Sequence, residues 1–178
     1  TNDNNATLIK GIDGTWSVSK IDDNTIIQGS YDGLYILKKT NDSWVLRNKI
    51  DGFSTSSKYF VLKDLKNIFV NHEYKGVFKL KVDEDFRNVT EIIKDTSVQK
   101  GIHSSLIQYK NDILYASKNG VFKYSEKEDR FQKDSVFSKL IPKDTFLSAK
   151  LIFDNENNKL WSFTKNDIRY FTPGKFSK

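Results

Sequence analysis

Apolar residues in this chain come in short runs, each broken within a few positions by Gly, Asn, Asp or Lys. No segment carries an apolar stripe of period 3.6 long enough for a stable helix, so the pattern predicts short strands joined by tight turns, with almost no helix. One pattern repeats. Residues 24–37 read NTIIQGSYDGLYIL, and 67–80 read NIFVNHEYKGVFKL. Residues 111–124 read NDILYASKNGVFKY, and 158–171 read NKLWSFTKNDIRYF. Aligned without gaps, the windows place Gly33, Gly76, Gly120 and Asp167 in one column, at steps of 43, 44 and 47 residues. Periods of about 40–50 residues are those of four-stranded propeller blades.

Each column has a physical reading. The leading Asn is a turn former. The apolar pair after it (Ile26-Ile27, Phe69-Val70, Ile113-Leu114, Leu160-Trp161) suits a strand buried on both faces. The glycines close a short hairpin where positive φ is wanted, with Asp167 as the substitute in the fourth copy. Inner strands are expected over 15–18, 59–62, 106–109 and 149–153, and looser outer strands over 44–47, 89–93 and 131–136. The expected fold class is therefore all-β, a propeller of about four four-stranded antiparallel blades, here one segment spanning 1–178. Its repeats run approximately over 12–55, 56–103, 104–147 and 148–178, with 6–11 as an outer strand of a preceding or closing blade.

Composition narrows the function classes. The chain of 178 residues is 37% hydrophobic and 13% aromatic, which fits a folded domain and not a disordered one. It has no cysteine, so thiolate metal sites, disulfides and a cysteine nucleophile are excluded. It also has no methionine, which points to a piece of a longer chain. A net charge of +6 invites a nucleic-acid reading, but the lysines are interleaved with Asp and Glu, as over 81–85 and 126–130, and no nucleic-acid partner is expected. No phosphate loop, nucleophile elbow or dinucleotide fingerprint occurs. The two histidines, His72 and His103, belong to no spaced ligand motif, and the carboxylates fall mostly at turns. No metal, cofactor or catalytic set is expected.

What remains is recognition by loops. In a propeller the loops between second and third strands gather at one end with the inter-blade loops, where ligands dock. The candidates there are Tyr31, Asp32, His72, Glu73, Tyr74, Lys118 and His103. Tyr31 and Tyr74 stand out because an amphipathic ring suits sugar faces and protein contacts alike.

The hairpin pattern, an apolar pair, a polar turn, then DGLYIL at 32–37, KGVFKL at 75–80 and NGVFKY at 119–124, resembles the two-component-regulator propeller repeat. The second-strand motif of that family is altered here to TIIQGS, IFVNH and LWSFT. The resemblance implies a periplasmic or otherwise extracytoplasmic, non-enzymatic sensor segment of a bacterial signalling receptor. It also implies a ring of about seven blades, of which this chain would supply four. The implied partners are the remaining blades and downstream signalling domains, a small-molecule or glycan ligand, and a second copy in a homodimer. Two other readings exist: a self-contained four-bladed, hemopexin-like interaction module closed by its N-terminal strand, and a glycosidase-type propeller using a carboxylate pair.

Overall fold

Polar turns join each strand to its sequence neighbour, and the result is one antiparallel meander per repeat. In the computed structural model, which describes residues 8–177, blade 1 comprises β1 (Ser17–Asp22), β2 (Thr25–Ser30), β3 (Gly33–Thr40) and β4 (Ser43–Lys49). Blade 2 comprises β5 (Tyr59–Leu62), β6 (Asn67–His72), β7 (Gly76–Val82) and β8 (Val89–Lys94). Blade 3 comprises β9 (Ser105–Tyr109), β10 (Asp112–Ser117), β11 (Gly120–Ser125) and β12 (Arg130–Asp134). Blade 4 comprises β13 (Phe146–Asp154), β14 (Lys159–Thr164), β15 (Ile168–Thr172) and β16 (Lys175–Ser177). One 3-10 turn, Phe137–Leu140, is the only helical element among the described residues. The all-β class and the blade architecture are as the repeat predicts.

Strand pairing follows sequence order within every sheet, and the innermost strands β1, β5, β9 and β13 lie side by side in that order. Three buried clusters hold the blades together. Ile27, Leu34 and Ile36 of blade 1 pack on Ile68, Val70 and Leu80 of blade 2. Phe69 and Val77 of blade 2 meet Leu106, Ile113 and Tyr115 of blade 3. Leu114, Ala116 and Val121 of blade 3 meet Leu151 and Leu160 of blade 4. Each fully buried Leu or Ile is worth about 1.5–3 kcal/mol, so these interfaces are where the fold's stability resides. Among the described residues no such cluster joins blade 4 to blade 1.

Two expectations need correction. Ser30 pairs with Gly33 and Ser117 with Gly120 across two-residue hairpins, but in blade 2 His72 pairs with Gly76 across three residues. The gapless alignment therefore slips by one along β6: the pair equivalent to Ile26-Ile27 is Ile68-Phe69, since Ile68 faces blade 1 and Phe69 faces blade 3. The fourth blade is completed by β16, which pairs with β15, and not by an N-terminal strand. Residues 8–11 are irregular and line the outer edge of blade 1 beside Trp44 and Leu46, while 6 and 7 lie outside the described residues. Closure in the hemopexin manner, by an N-terminal strand added to the last blade, does not occur among the described residues.

Gly33, Gly76 and Gly120 have positive φ of 139°, 100° and 114° and end their hairpins as expected; Asp167 does the same job without positive φ. In its loop Thr164 Oγ1 accepts from Asn166 N and Asp167 N instead.

Candidate functional site

The hairpin ends of blades 1 and 2 and the strand leading into each blade converge on a groove of about 260 Å³. One wall is aromatic. Tyr31, at the tip of the β2–β3 hairpin, lies against Gly14 so closely that a Cβ there would come within 2.2 Å of the ring. Gly14 also has φ +73°, so glycine is required at this position on both counts. The Trp16 ring stands edge-on to Tyr31 at 5.0 Å. Both rings remain open to solvent, Tyr31 at 58% and Trp16 at 43% exposure.

Lys58 enters the groove just before β5. Its Nζ lies 5.2 Å from the Trp16 ring centre and 5.1 Å from that of Tyr59. The Ser17 hydroxyl donates to the Lys58 carbonyl at 3.0 Å, tying the entry of β5 to β1.

The rest of the lining comes largely from the end of β6 and its three-residue hairpin. Tyr74 is 61% exposed and stands edge-on to His72 at 6.1 Å. The Tyr74 backbone N–H donates to His72 Nδ1 at 3.1 Å, so the neutral ring carries its proton on Nε2. Burial pushes the His72 pKa below its ordinary value, the Lys75 charge adds to this, and Glu73 opposes it. The floor is Asn71, 1% exposed, whose Nδ2 donates to Ser104 Oγ of the next blade at 3.0 Å. Glu73 is the one carboxylate in the lining.

Of the sequence candidates, Tyr31, His72, Glu73 and Tyr74 meet here, and three do not. Asp32 turns away to Lys49, Oδ2 to Nζ 2.5 Å, and accepts from the Tyr35 hydroxyl at 2.9 and 3.0 Å. The Lys49 contact, with help from Tyr35, holds its carboxyl below the usual range against the opposing effect of burial. Lys118 is exposed on the β10–β11 hairpin of blade 3. His103 has φ +62°, and its carbonyl accepts from Ala149 N of blade 4 at 2.9 Å, so it acts as a linker between blades. Sequence reasoning missed Trp16 and Tyr59, which it places only in strands, and Lys58, which it does not single out. Their shared feature, a place at the entry of an inner strand, is visible only once the repeat is mapped onto blades.

A second recess, at the other end between blades 2 and 3, has its charges matched within the protein. There Lys79 Nζ lies 2.8 Å from Asp129 Oδ1 and 3.8 Å from Asp95 Oδ2, and the Tyr124 hydroxyl donates to Asp129. Among the described residues no group of three or more His, Asp or Glu side chains is placed to hold a metal.

No family model and no curated protein matches the chain. Solved structures do. Two structures of the extracellular domain of BT4673 from B. thetaiotaomicron, described in one as a one-component system and in the other as a hybrid two-component system, superpose with TM-scores of 0.61. Identities are 18% and 16%, and each match covers 92% of this chain. The chain spans about a fifth of those structures' length, 22% in each case. At this identity the likeness is one of fold alone. Among the described residues no helix is long and apolar enough to cross a membrane.

Proposed function

We propose that this chain is a recognition segment of an extracytoplasmic sensor propeller in a two-component-type receptor, and that the groove between blades 1 and 2 binds a saccharide without transforming it. The observation that supports this most is the set of four aromatic rings, Trp16, Tyr31, Tyr59 and Tyr74, lining one groove together with Asn71, His72 and Glu73. Rings such as Tyr31, held against the Gly14 backbone, offer flat apolar faces to sugar C–H groups, while the polar lining meets hydroxyls. A non-catalytic role is favoured because a glycosidase needs two carboxylates flanking the bond, and here Glu73 stands alone while Asp32 is tied to Lys49. The fold shared with BT4673 extracellular domains supports the receptor context.

The test uses the position of Trp16. In a W44F/W161F background its fluorescence reports on the groove, and cello-, laminari-, malto- and galacto-oligosaccharides are titrated in turn. A saturable change with at least one series is expected. In that series Tyr31→Ala and Tyr74→Ala each weaken binding by roughly tenfold, with thermal melting preserved. No saturable change with any series, or full binding by both tyrosine variants, overturns the reading.

A further inference from the structure

The groove contains a cation with no anion to match it. Lys49 pairs with Asp32, Lys63 with Glu126, and Lys79 with Asp129 and Asp95, whereas half-buried Lys159 on blade 4 packs on the Trp161 and Tyr170 rings outside the groove. Lys58 has only the faces of Trp16 and Tyr59, and no carboxylate lies within ion-pair distance of it among the described residues. A ring face attracts an ammonium but replaces only part of the water it displaces. Packing between two rings also restricts the side chain in advance, so less entropy is lost when an anion arrives. Lys58 is thus arranged to receive a negative group in the groove, beside the rings that would carry a sugar face.

We infer that the ligand of this groove is an acidic saccharide of the uronate type, its carboxylate on Lys58 Nζ. The inference rests on the reading of the groove as a saccharide site and narrows it. Glu73, which makes no ion pair of its own, sets the limit on charge: it accepts from ring hydroxyls and repels a second anion, so the site suits one carboxylate per bound sugar and disfavours a densely charged chain. The Nε2–H of neutral His72 is a further donor for a hydroxyl.

The experiment is a calorimetric titration of this chain at physiological ionic strength. The probes are oligomers of galacturonate, glucuronate and mannuronate, each paired with its carboxyl-reduced neutral counterpart. The expected result is that at least one acidic oligomer binds roughly tenfold tighter than its neutral form. Lys58→Gln removes that preference while binding of the neutral form stays, and Lys58→Arg retains it. Lys118→Gln, which removes an exposed charge outside the groove, leaves the preference intact and so excludes a general effect of the basic surface. Circular dichroism melts establish that each variant is folded. Equal or weaker binding of the acidic forms, or a preference that survives in Lys58→Gln, overturns the uronate assignment and leaves the saccharide reading standing. Failure of every acidic and neutral oligomer to bind overturns both.

Discussion

Two residues show how backbone fit and protonation act at single positions. Gly29 sits in β2 where the chain entering blade 2 passes closest, and a Cβ there would lie 2.0 Å from the Ser57 carbonyl oxygen. Its φ is ordinary, so the requirement is for space alone. Gly29→Ala is expected to destabilise the protein by more than about 2 kcal/mol, because it forces the first two blades apart. Gly101→Ala, whose added Cβ meets nothing nearer than 3.7 Å, serves as the control and is expected to change little; chemical denaturation measures both. His72 acts through its proton. Its pKa in the fold lies below the ordinary 6.5, so the folded protein resists a proton that the unfolded chain accepts. Stability is then unaffected well above pH 6.5 and falls as the pH drops below that value toward the folded pKa. Protonation also ends the Nδ1 acceptor role toward Tyr74 N. Proton NMR titration of the imidazole is expected to place its midpoint below 6.5; a midpoint above that value would contradict the burial argument. His72→Gln should flatten this part of the acid limb.

Elements were legible where periodicity and turn chemistry agree, and illegible where they leave freedom. Gly33, Gly76 and Gly120 located the hairpins because each needs positive φ. The run Ile68-Phe69-Val70 is apolar throughout and buried throughout, so no alternation fixes which residue faces which blade. The slip in β6 is therefore invisible until the three-residue loop Glu73–Lys75 is seen to absorb it. Asn67 reinforces the illusion. It falls in the Asn column of the alignment, yet it starts β6, with its backbone N–H and Nδ2 both donating to Asp64 across a longer turn. At the site, the hairpin column identified Tyr31 and Tyr74, but it also selected Asp32, whose engagement with Lys49 and Tyr35 depends on the fold. Trp16, Lys58 and Tyr59 could not be read because two distant segments, around 16 and 58–59, bring them together. Between elements, Lys79 links blade 2 to blade 3 through Asp129, and its side chain is 14% exposed. Lys79→Met leaves the carboxylate of Asp95, 2% exposed, with only Ser97 as a partner. A loss of about 1–3 kcal/mol is expected, and less when Asp129→Ala is already present, so a double-mutant cycle should return a favourable coupling.

At the scale of the molecule, four blades share three interfaces, and this unequal burial sets the order in which the structure opens. Blades 2 and 3 are covered on both faces by the packed clusters. Blade 4 presents the far side of β13 to β15 to solvent, where Ile152 is 41% and Ile168 57% exposed and Trp161 packs on Tyr170 at 4.9 Å. In a stack of repeats each unit is stabilised mainly by its neighbours, so a unit with one interface opens at lower free energy than a unit with two. Native-state hydrogen exchange should therefore show the slowest amides in β6, β7, β10 and β11, and faster ones in β14 and β15 despite the same strand pattern. Leu160→Ala, at the interface of blades 3 and 4, should speed exchange in blade 4 while leaving β6 and β7 close to their original rates, because its cavity weakens only the terminal contact. Uniform protection across all four blades, or a uniform response to Leu160→Ala, would instead mean that the blades open as one cooperative unit. In that case the groove between blades 1 and 2 would be coupled to the far end of the arc, and a ligand on Tyr31 and Tyr74 would slow exchange in blade 4 as strongly as in its own walls.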